Sequence, residues 1–361
     1  MPFSFLALTF PYPKRTMPTL LPLPYYYRLP SGTVTQLPVT RDGVRTLDPQ
    51  TFVLQPGPAL PEITIDLPTV ARTVRGLCGL LPADCFSDGS IRPHENTLTS
   101  RLERQEKLVL QDGAALGKPV LLTAPSLKHL WERMPATSTP KLRYSNGEGH
   151  TYTLCTGGPA PMKIELDAYA PLVIADGHHR AYTHAALAAR GLSEFANIPV
   201  VIIGADELTI GAFMRVIEVE LTSADLLERL EKYFVVTPVV QPYPPKAQGE
   251  WLLSHWGEHY HLRRADSTLM PDPGWLIENV LPSVFGITDV RSDPRIQSVE
   301  PPQTRDGALV LPPEVNHTVV MLGYPVSHRQ FFAEVTAGRV FPPKSTRFTP
   351  RIPSGLLVWM P

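Results

Sequence analysis

Pro171-Leu-Val-Ile-Ala-Asp-Gly-His-His-Arg180, followed by Ala181–Arg190, Gly191 and Ile198-Pro-Val-Val-Ile-Ile203, is the stretch on which the reading of this chain turns. A short apolar run, a polar turn with a glycine, an alanine-rich segment and a second apolar run spell strand, turn, helix, strand. Gly191 stands just past the last helical turn, where a left-handed residue closes a helix. Two buried strands joined through a helix predict a parallel pair. The fold class expected is therefore α/β or α+β.

Working outward, the first 85 residues alternate prolines with β-branched runs such as Thr33-Val-Thr-Gln-Leu37 and Ile63-Thr-Ile-Asp-Leu67, a pattern of short strands between proline turns. Met1–Phe10 is apolar but has no basic residue ahead of it, and Pro11 and Pro13 cut it short, so it reads as a first strand and not as a secretory signal. Residues 98–111 place Leu98, Leu102, Gln105 and Val109 on one helical face with charges opposite. Pro119–Thr123 reads as a buried strand, Lys128–Met134 as a short helix, and Asn146-Gly147 as the turn of a hairpin. Thr156-Gly157-Gly158 reads as a turn. Beyond the central unit come a strand over Phe213–Leu221 and a helix over Ser223–Phe234 capped by Ser223. A strand over Tyr260–Arg264, a helix near Pro273–Leu281, and a closing strand, helix and strand at Val319–Leu322, His328–Ala337 and Leu356–Trp359 complete the chain. The divisions expected are a proline-rich β segment (1–85), a core (86–221) and a carboxyl-terminal α/β domain (222–361).

Composition narrows the function classes. The 41 prolines and 24 glycines in 361 residues stay below the ~25–30% of low-complexity chains, and 43% hydrophobic residues suffice for a core. The 33 basic and 34 acidic residues give a net charge of −1, which offers a nucleic acid no general attraction. Cys78, Cys85 and Cys155 support neither a disulfide framework nor a cysteine zinc site. No stretch approaches the ~20 apolar residues of a membrane helix, so a cytoplasmic protein is expected.

Three segments can carry chemistry. Asp176-Gly177-His178-His179-Arg180 lies at a strand-to-helix junction, where unpaired N–H groups and the positive end of the helix dipole favour an anion. Arg180 and the imidazoles add donors, and Gly177 lets a ligand approach the backbone. The same residues also fit an ordinary N-cap with solvated histidines, or a metal site drawing on His178 and His179 with His184 or His94. Pro93-His94-Glu95-Asn96-Thr97 sets a carboxylate at the mouth of the next helix. There it can take a proton from an attacking hydroxyl, or simply satisfy the helix dipole. Lys344-Ser-Thr-Arg347 can bind an anion or form a proline-bounded surface loop. No P-loop, protein-kinase set or dinucleotide fingerprint occurs.

Taken in order, Ile91–Thr97, Ile174–Arg180 and Phe341–Leu356 resemble the HE-x-T, ADGHHR and PPKST-x-F-x-P landmarks of the domain-of-unknown-function family 1015. The order of these segments is also similar to that in free-serine kinases of the ParB/sulfiredoxin superfamily. That resemblance implies a ParB/sulfiredoxin-like nucleotide-binding core with additional amino-terminal β-rich and carboxyl-terminal α/β parts. It implies an enzyme that transfers a phosphoryl group from ATP or ADP, with Mg²⁺, to the hydroxyl of free L-serine or a related hydroxy amino acid. Glu95 and Asp176 would form the catalytic set, with Glu95 as base, and Gly177, His178, His179 and Arg180 would hold the nucleotide phosphates. His94, Thr97, Lys344, Ser345 and Thr346 are the candidate substrate-binding residues, and no protein-held metal site is expected. A non-catalytic nucleotide-binding regulator or a ParB-like DNA-associated protein is the alternative.

Overall fold

The computed structural model describes residues 17–34, 36–37, 50–95, 99–111, 118–134, 139–156, 163–266, 268, 270–301, 309–312 and 317–360. The strand expected at Met1–Phe10, the residues Thr35, Thr97 and Leu98, and the Gly157-Gly158 turn lie outside them.

The chain forms two compact units. The first comprises residues up to Thr209 with Val335–Arg339 and Pro350–Pro361, and the second comprises Ile210–Glu334 and Val340–Thr349. The division falls at 209/210 rather than 221/222, and none falls near residue 85, because strands of the proline-rich opening are built into the middle of the first unit's sheet.

That sheet uses nine strands: Gly32–Val34 (β1), Glu62–Leu67 (β2), Arg72–Pro82 (β3), Ile91–Arg92 (β4), Val120–Ala124 (β5), Thr139–Ser145 (β6), Thr151–Thr156 (β7), Leu172–Asp176 (β8) and Asn197–Gly204 (β9). Their spatial order is β1-β6-β7-β2-β3-β9-β5-β8-β4. In β2, Ile63, Ile65 and Leu67 alternate inward as a half-buried strand requires. β5 and the body of β9 are buried along their length, so their residues are apolar without alternation.

The expected parallel pairing of the two strands around the central helix does not occur. β5 lies between them, parallel to β9 (Val200 opposite Val120) and antiparallel to β8 (Val173 opposite Thr123). β8 and β9 therefore run in opposite directions. Three uninterrupted apolar runs suit interior strands equally well, and local sequence does not say which will be neighbours.

Three helices accompany this sheet: Thr99–Gln111 (α1), Lys128–Arg133 (α2) and His178–Ala189 (α3). In α1, Leu102, Gln105 and Val109 are half-buried while Glu103, Arg104 and Lys107 are exposed, as the periodicity predicts. α3 begins at His178, three residues before the expected start, so Asp176 ends a strand and Gly177 occupies the cap position with φ +101°. Gly191 closes α3 as expected, with φ +87° and its N–H on the Ala188 carbonyl. Ala181 and Leu187 of α3 are fully buried. Ala181 packs in one apolar cluster with Leu81, Ile91, Leu122, Ile174 and Ile202. The β6–β7 hairpin turns where Asn146-Gly147 predicts, but through a longer loop. The Asn146 side chain accepts from the N–H groups of Glu148 and His150, and the left-handed position falls to Gly149. The expected closing strand at Leu356–Trp359 reduces to one bridge between Tyr27 and Val358. The three cysteines are buried and form no disulfide.

The second unit is built on an antiparallel sheet of Met214–Glu218 (β10), Phe234–Val239 (β11), Glu250–His255 (β12), Glu258–Arg264 (β13), Ile296–Val299 (β14) and Thr318–Gly323 (β15), ordered β11-β13-β12-β15-β10-β14. Ser223–Leu230 (α4) is capped by Thr222 and not by Ser223, since the Thr222 hydroxyl accepts from the Asp225 N–H. The helix expected near Pro273 is one α-turn, Asp272–Trp275 (α5), continuing as a wider π-type run over Leu276–Phe285 that contains Pro282. Leu226, Leu230, Trp275, Val280 and Val284 pack with Leu253, Leu262, Val319 and Met321 as this unit's main core. The helix expected over His328–Ala337 spans His328–Thr336 (α6). Among the described residues no helix is long and apolar enough to cross a membrane.

Candidate functional site

The end of β8 and the start of α3 bring together most of the first-unit candidates. β8 pairs in parallel with β4 (Leu172 opposite Ile91), so the chain leaving β4 through Pro93 reaches the same end of the sheet as Asp176. There His94 is buried, and its Nδ1 donates to the Ile174 carbonyl at 2.5 Å. Burial pushes the His94 imidazole down to about 4, against the weaker upward pull of that carbonyl and of Asp176. The His94 N–H donates to His178 Nε2 at 3.3 Å, and the two rings meet edge to face at 4.5 Å. Burial, with His94 next, holds His178 well below the ordinary imidazole range. Both histidines are therefore neutral at neutral pH, and His178 carries its proton on Nδ1. Glu95, directly after His94, is half-buried. Thr97 is not among the described residues.

Asp176 is the electrostatic centre. One of its oxygens, Oδ2, accepts from Lys118 Nζ at 2.8 Å and from Arg180 Nη2 at 3.3 Å. Burial alone would raise the carboxyl, but the charges of Lys118, Arg180 and Arg351 outweigh it and hold the group far below the carboxylate range. Burial lowers Lys118, with Asp176 opposing. Arg180 also donates to the Pro119 carbonyl at 3.4 Å, and its guanidinium lies across Gly177. Gly177 is favoured there by its φ of +101°, and a Cβ would stand 2.4 Å from Arg180 Nη2, so the arginine's flexible end would have to move aside. His179, the second residue of α3, is half-buried.

Sequence reasoning missed Lys118 and Arg351. Lys118 precedes β5 with nothing to mark it, and it meets Asp176 only because β5 pairs beside β8. Arg351 follows Pro350 in a stretch noted for its prolines, where an arginine carries no signal of its own.

The remaining candidates lie in the second unit. Lys344 has φ +57°, and its Nζ sits 5.3 Å from the Phe213 ring centre. Arg215 donates to the Pro343 and Lys344 carbonyls, the buried Ser345 hydroxyl donates to the Pro342 carbonyl at 2.6 Å, and Arg347 pairs with Glu300 at 3.2 Å. Thr346 is buried as well. The segment is a clamped turn whose polar groups are largely engaged within that unit.

His184 is buried edge-on against Phe195 and pushed down by burial to about 4. Among the described residues no group of three or more His, Cys, Asp or Glu side chains could hold a metal ion. A cavity of about 450 Å³ lined by Trp131, Lys128, Glu132, Asp206 and Glu207 opens where β5 and β9 end at Ala124 and Gly204. That is the opposite end of the sheet from Asp176, which pairs with Leu121.

Fold and site thus define a mixed α/β protein with a cation-rich cluster gathered on one carboxylate at a helix start. The chain belongs to the family described as protein of unknown function (DUF1015), whose model matches residues 47–286. No curated protein matches it. Among solved structures it is similar to a carboxyl-terminally truncated SbnI from Staphylococcus aureus, at 17% identity and TM-score 0.44 over 77% of this chain and 85% of that one. It is similar to a free serine kinase mutant in complex with ADP at 17% identity and TM-score 0.38, over 75% of this chain and 87% of that one. A conserved hypothetical protein from Pyrococcus furiosus matches at 17% and 0.38, over 77% and 93%. At such TM-scores these likenesses say nothing about chemistry.

Proposed function

We propose that this protein is a nucleotide-dependent phosphotransferase with a ParB/sulfiredoxin-like core, passing a phosphoryl group from ATP or ADP to the hydroxyl of a free hydroxy amino acid, L-serine first among them. The observation that carries the reading is the convergence, at the start of α3, of a backbone opened by Gly177, the Arg180 guanidinium, and the His94–Glu95 chain tied through His178. An α-helix of this length presents unpaired N–H groups and a partial positive charge at its first turn, which suits nucleotide phosphates.

The residues divide the work. The Gly177–Arg180 turn holds the phosphates, and His178, neutral and protonated on Nδ1, is a donor and not a competing cation. Asp176, kept ionised by its cations, is too weak a base to take a proton and acts by fixing those cations in place. Glu95 takes the proton of the acceptor hydroxyl as that oxygen bonds to phosphorus and the nucleotide oxygen leaves. His94 and Thr97 are the acceptor-binding residues in this reading. The described side chains build no carboxylate cage for a divalent ion, so Mg²⁺ would be held chiefly on phosphate oxygens, where it neutralises charge on the transferred group.

Purified protein incubated with L-serine, Mg²⁺ and either ATP or ADP is expected to form O-phosphoserine, read by mass spectrometry. Glu95→Gln should abolish most of the product while nucleotide binding by calorimetry persists. Binding without product from either nucleotide would refute catalysis and leave a nucleotide-binding regulator.

A further inference from the structure

Lys118 belongs to none of the segments that brought this site to notice, yet it makes a short ion pair with Asp176, at 2.8 Å. Its ammonium has three N–H donors, and the described contact uses one, on Asp176 Oδ2 at 2.8 Å. Arg180 Nη2 approaches the same oxygen at 3.3 Å. Two cationic nitrogens that share one oxygen at those distances lie within about 6 Å of each other, and at that spacing they repel. Arg351 adds a third positive charge felt by both Asp176 and Lys118.

One carboxylate therefore faces three cations beside the positive end of α3. Counting the groups in direct contact, Lys118, Arg180 and Asp176, the local excess is about one positive charge, to which the helix adds roughly half a charge and Arg351 a longer-range field. A single carboxylate ligand would leave part of that positive field uncompensated, whereas a diphosphate covers it. The side chains involved are mostly shielded, with Lys118 at 18%, Arg180 at 16% and Asp176 at 31% exposure, so the imbalance is poorly screened by water.

The geometry points to Lys118 as a direct phosphate ligand, with Asp176 as its positioning residue, so that the site selects a diphosphate group over a single phosphate or a carboxylate. This rests on the nucleotide-binding reading above and names the part of the nucleotide on which recognition turns. Asp176 orients the ammonium through one N–H and leaves the others for phosphate oxygens. Arg180, held across Gly177, supplies a second, planar set of donors to the same group.

The test is calorimetric titration of the full chain with pyrophosphate, inorganic phosphate and acetate, for the natural protein, Lys118→Met and Lys118→Arg. Pyrophosphate is expected to bind the natural protein at least about tenfold more tightly than phosphate, with acetate weaker still. Lys118→Met should stay folded, with a melting temperature lowered by no more than a few degrees for the lost ion pair, and lose most of that preference, and Lys118→Arg should restore a good part of it. If Lys118→Met unfolds, Lys118→Gln carries the test, since it keeps a hydrogen-bonding side chain at that position while removing the charge that would meet the phosphate. Equal affinity for pyrophosphate and phosphate, or a Lys118→Met protein that keeps the preference, overturns the assignment. The outcomes separate from those of the serine assay. Pyrophosphate selection lost in Lys118→Met without any O-phosphoserine sinks only the kinase reading. O-phosphoserine formed by Lys118→Met with an unchanged KM for nucleotide sinks only the Lys118 assignment.

Discussion

Replacing Asp176 by Asn removes one negative charge and changes little else in shape, so its consequences can be worked from the contacts. Lys118 and Arg180 keep at most a neutral amide oxygen where they shared a carboxylate oxygen, and the negative charge that offset them and Arg351 at this position is gone. Breaking a fully buried ion pair costs about 3–5 kcal/mol; with these side chains 16–31% exposed, about 1–3 kcal/mol is the appropriate scale. For a unit of this size that is a fall in melting temperature of roughly 2–12 °C. The natural carboxyl titrates far below neutrality, so its contribution is intact above the unfolded value near 4 and is read in full at pH 7.

The same substitution should weaken pyrophosphate binding, because Lys118 and Arg180 lose the carboxylate that positions them. Pyrophosphate at ten times its Kd stabilises by about 1.4 kcal/mol, and a Kd weakened tenfold leaves about 0.4 kcal/mol at the same concentration. The assay is a thermal melt of both proteins across a pyrophosphate series in low-salt buffer at pH 7. Asp176→Asn should start lower and begin to gain stability only at higher pyrophosphate concentration than the natural protein. A variant as stable as the natural protein, or one that responds to pyrophosphate identically, would refute the account of Asp176 as counter-ion.

Other outcomes follow from the same coordinates. Gly177→Ala should cost about 1–3 kcal/mol for its φ of +101° and drive Arg180 off its seat, so pyrophosphate affinity should fall at least tenfold; undiminished affinity would show that the turn does not hold the anion. His94 and His184, each lowered by burial to about 4, stay neutral when folded but take a proton when unfolded below about pH 6.5. Their stabilisation is full above that pH and is withdrawn as pH falls, by about 2 kcal/mol each at pH 5 and about 3 at pH 4; urea midpoints that stay flat from pH 6.5 to 4.5 would contradict this. In the second unit, Gly323→Ala would put a Cβ 2.6 Å from the Trp251 ring and should cost about 1–3 kcal/mol without touching pyrophosphate affinity, which a paired melt and titration would check.

Much of this site can be read from the chain because its parts are contiguous. Asp176, Gly177, His178 and Arg180 are neighbours at a strand-to-helix junction, and a helix start has the same orphan donors in any fold. His94 and Glu95 show only that a carboxylate follows a histidine. The tie from the His94 N–H to His178 spans 84 residues and depends on β4 pairing with β8. Capping shows the same limit at short range: Thr222 and Ser223 are equally good caps by residue type, and backbone geometry selects Thr222.

What the sequence determined by itself, then, is most of the elements and the local chemistry at their ends: apolar runs that read as strands, a glycine in the polar turn before the central helix, a carboxylate before α1. Those follow from residue-level sterics and burial, which act over a few positions. Tertiary structure alone decided that β5 separates β8 from β9, that β8 and β9 run in opposite directions, and that Lys118 and Arg351 gather on Asp176. Strand order is set by which apolar faces fill one core together, a condition on the whole chain. The charges that make the site came along as passengers on those strands.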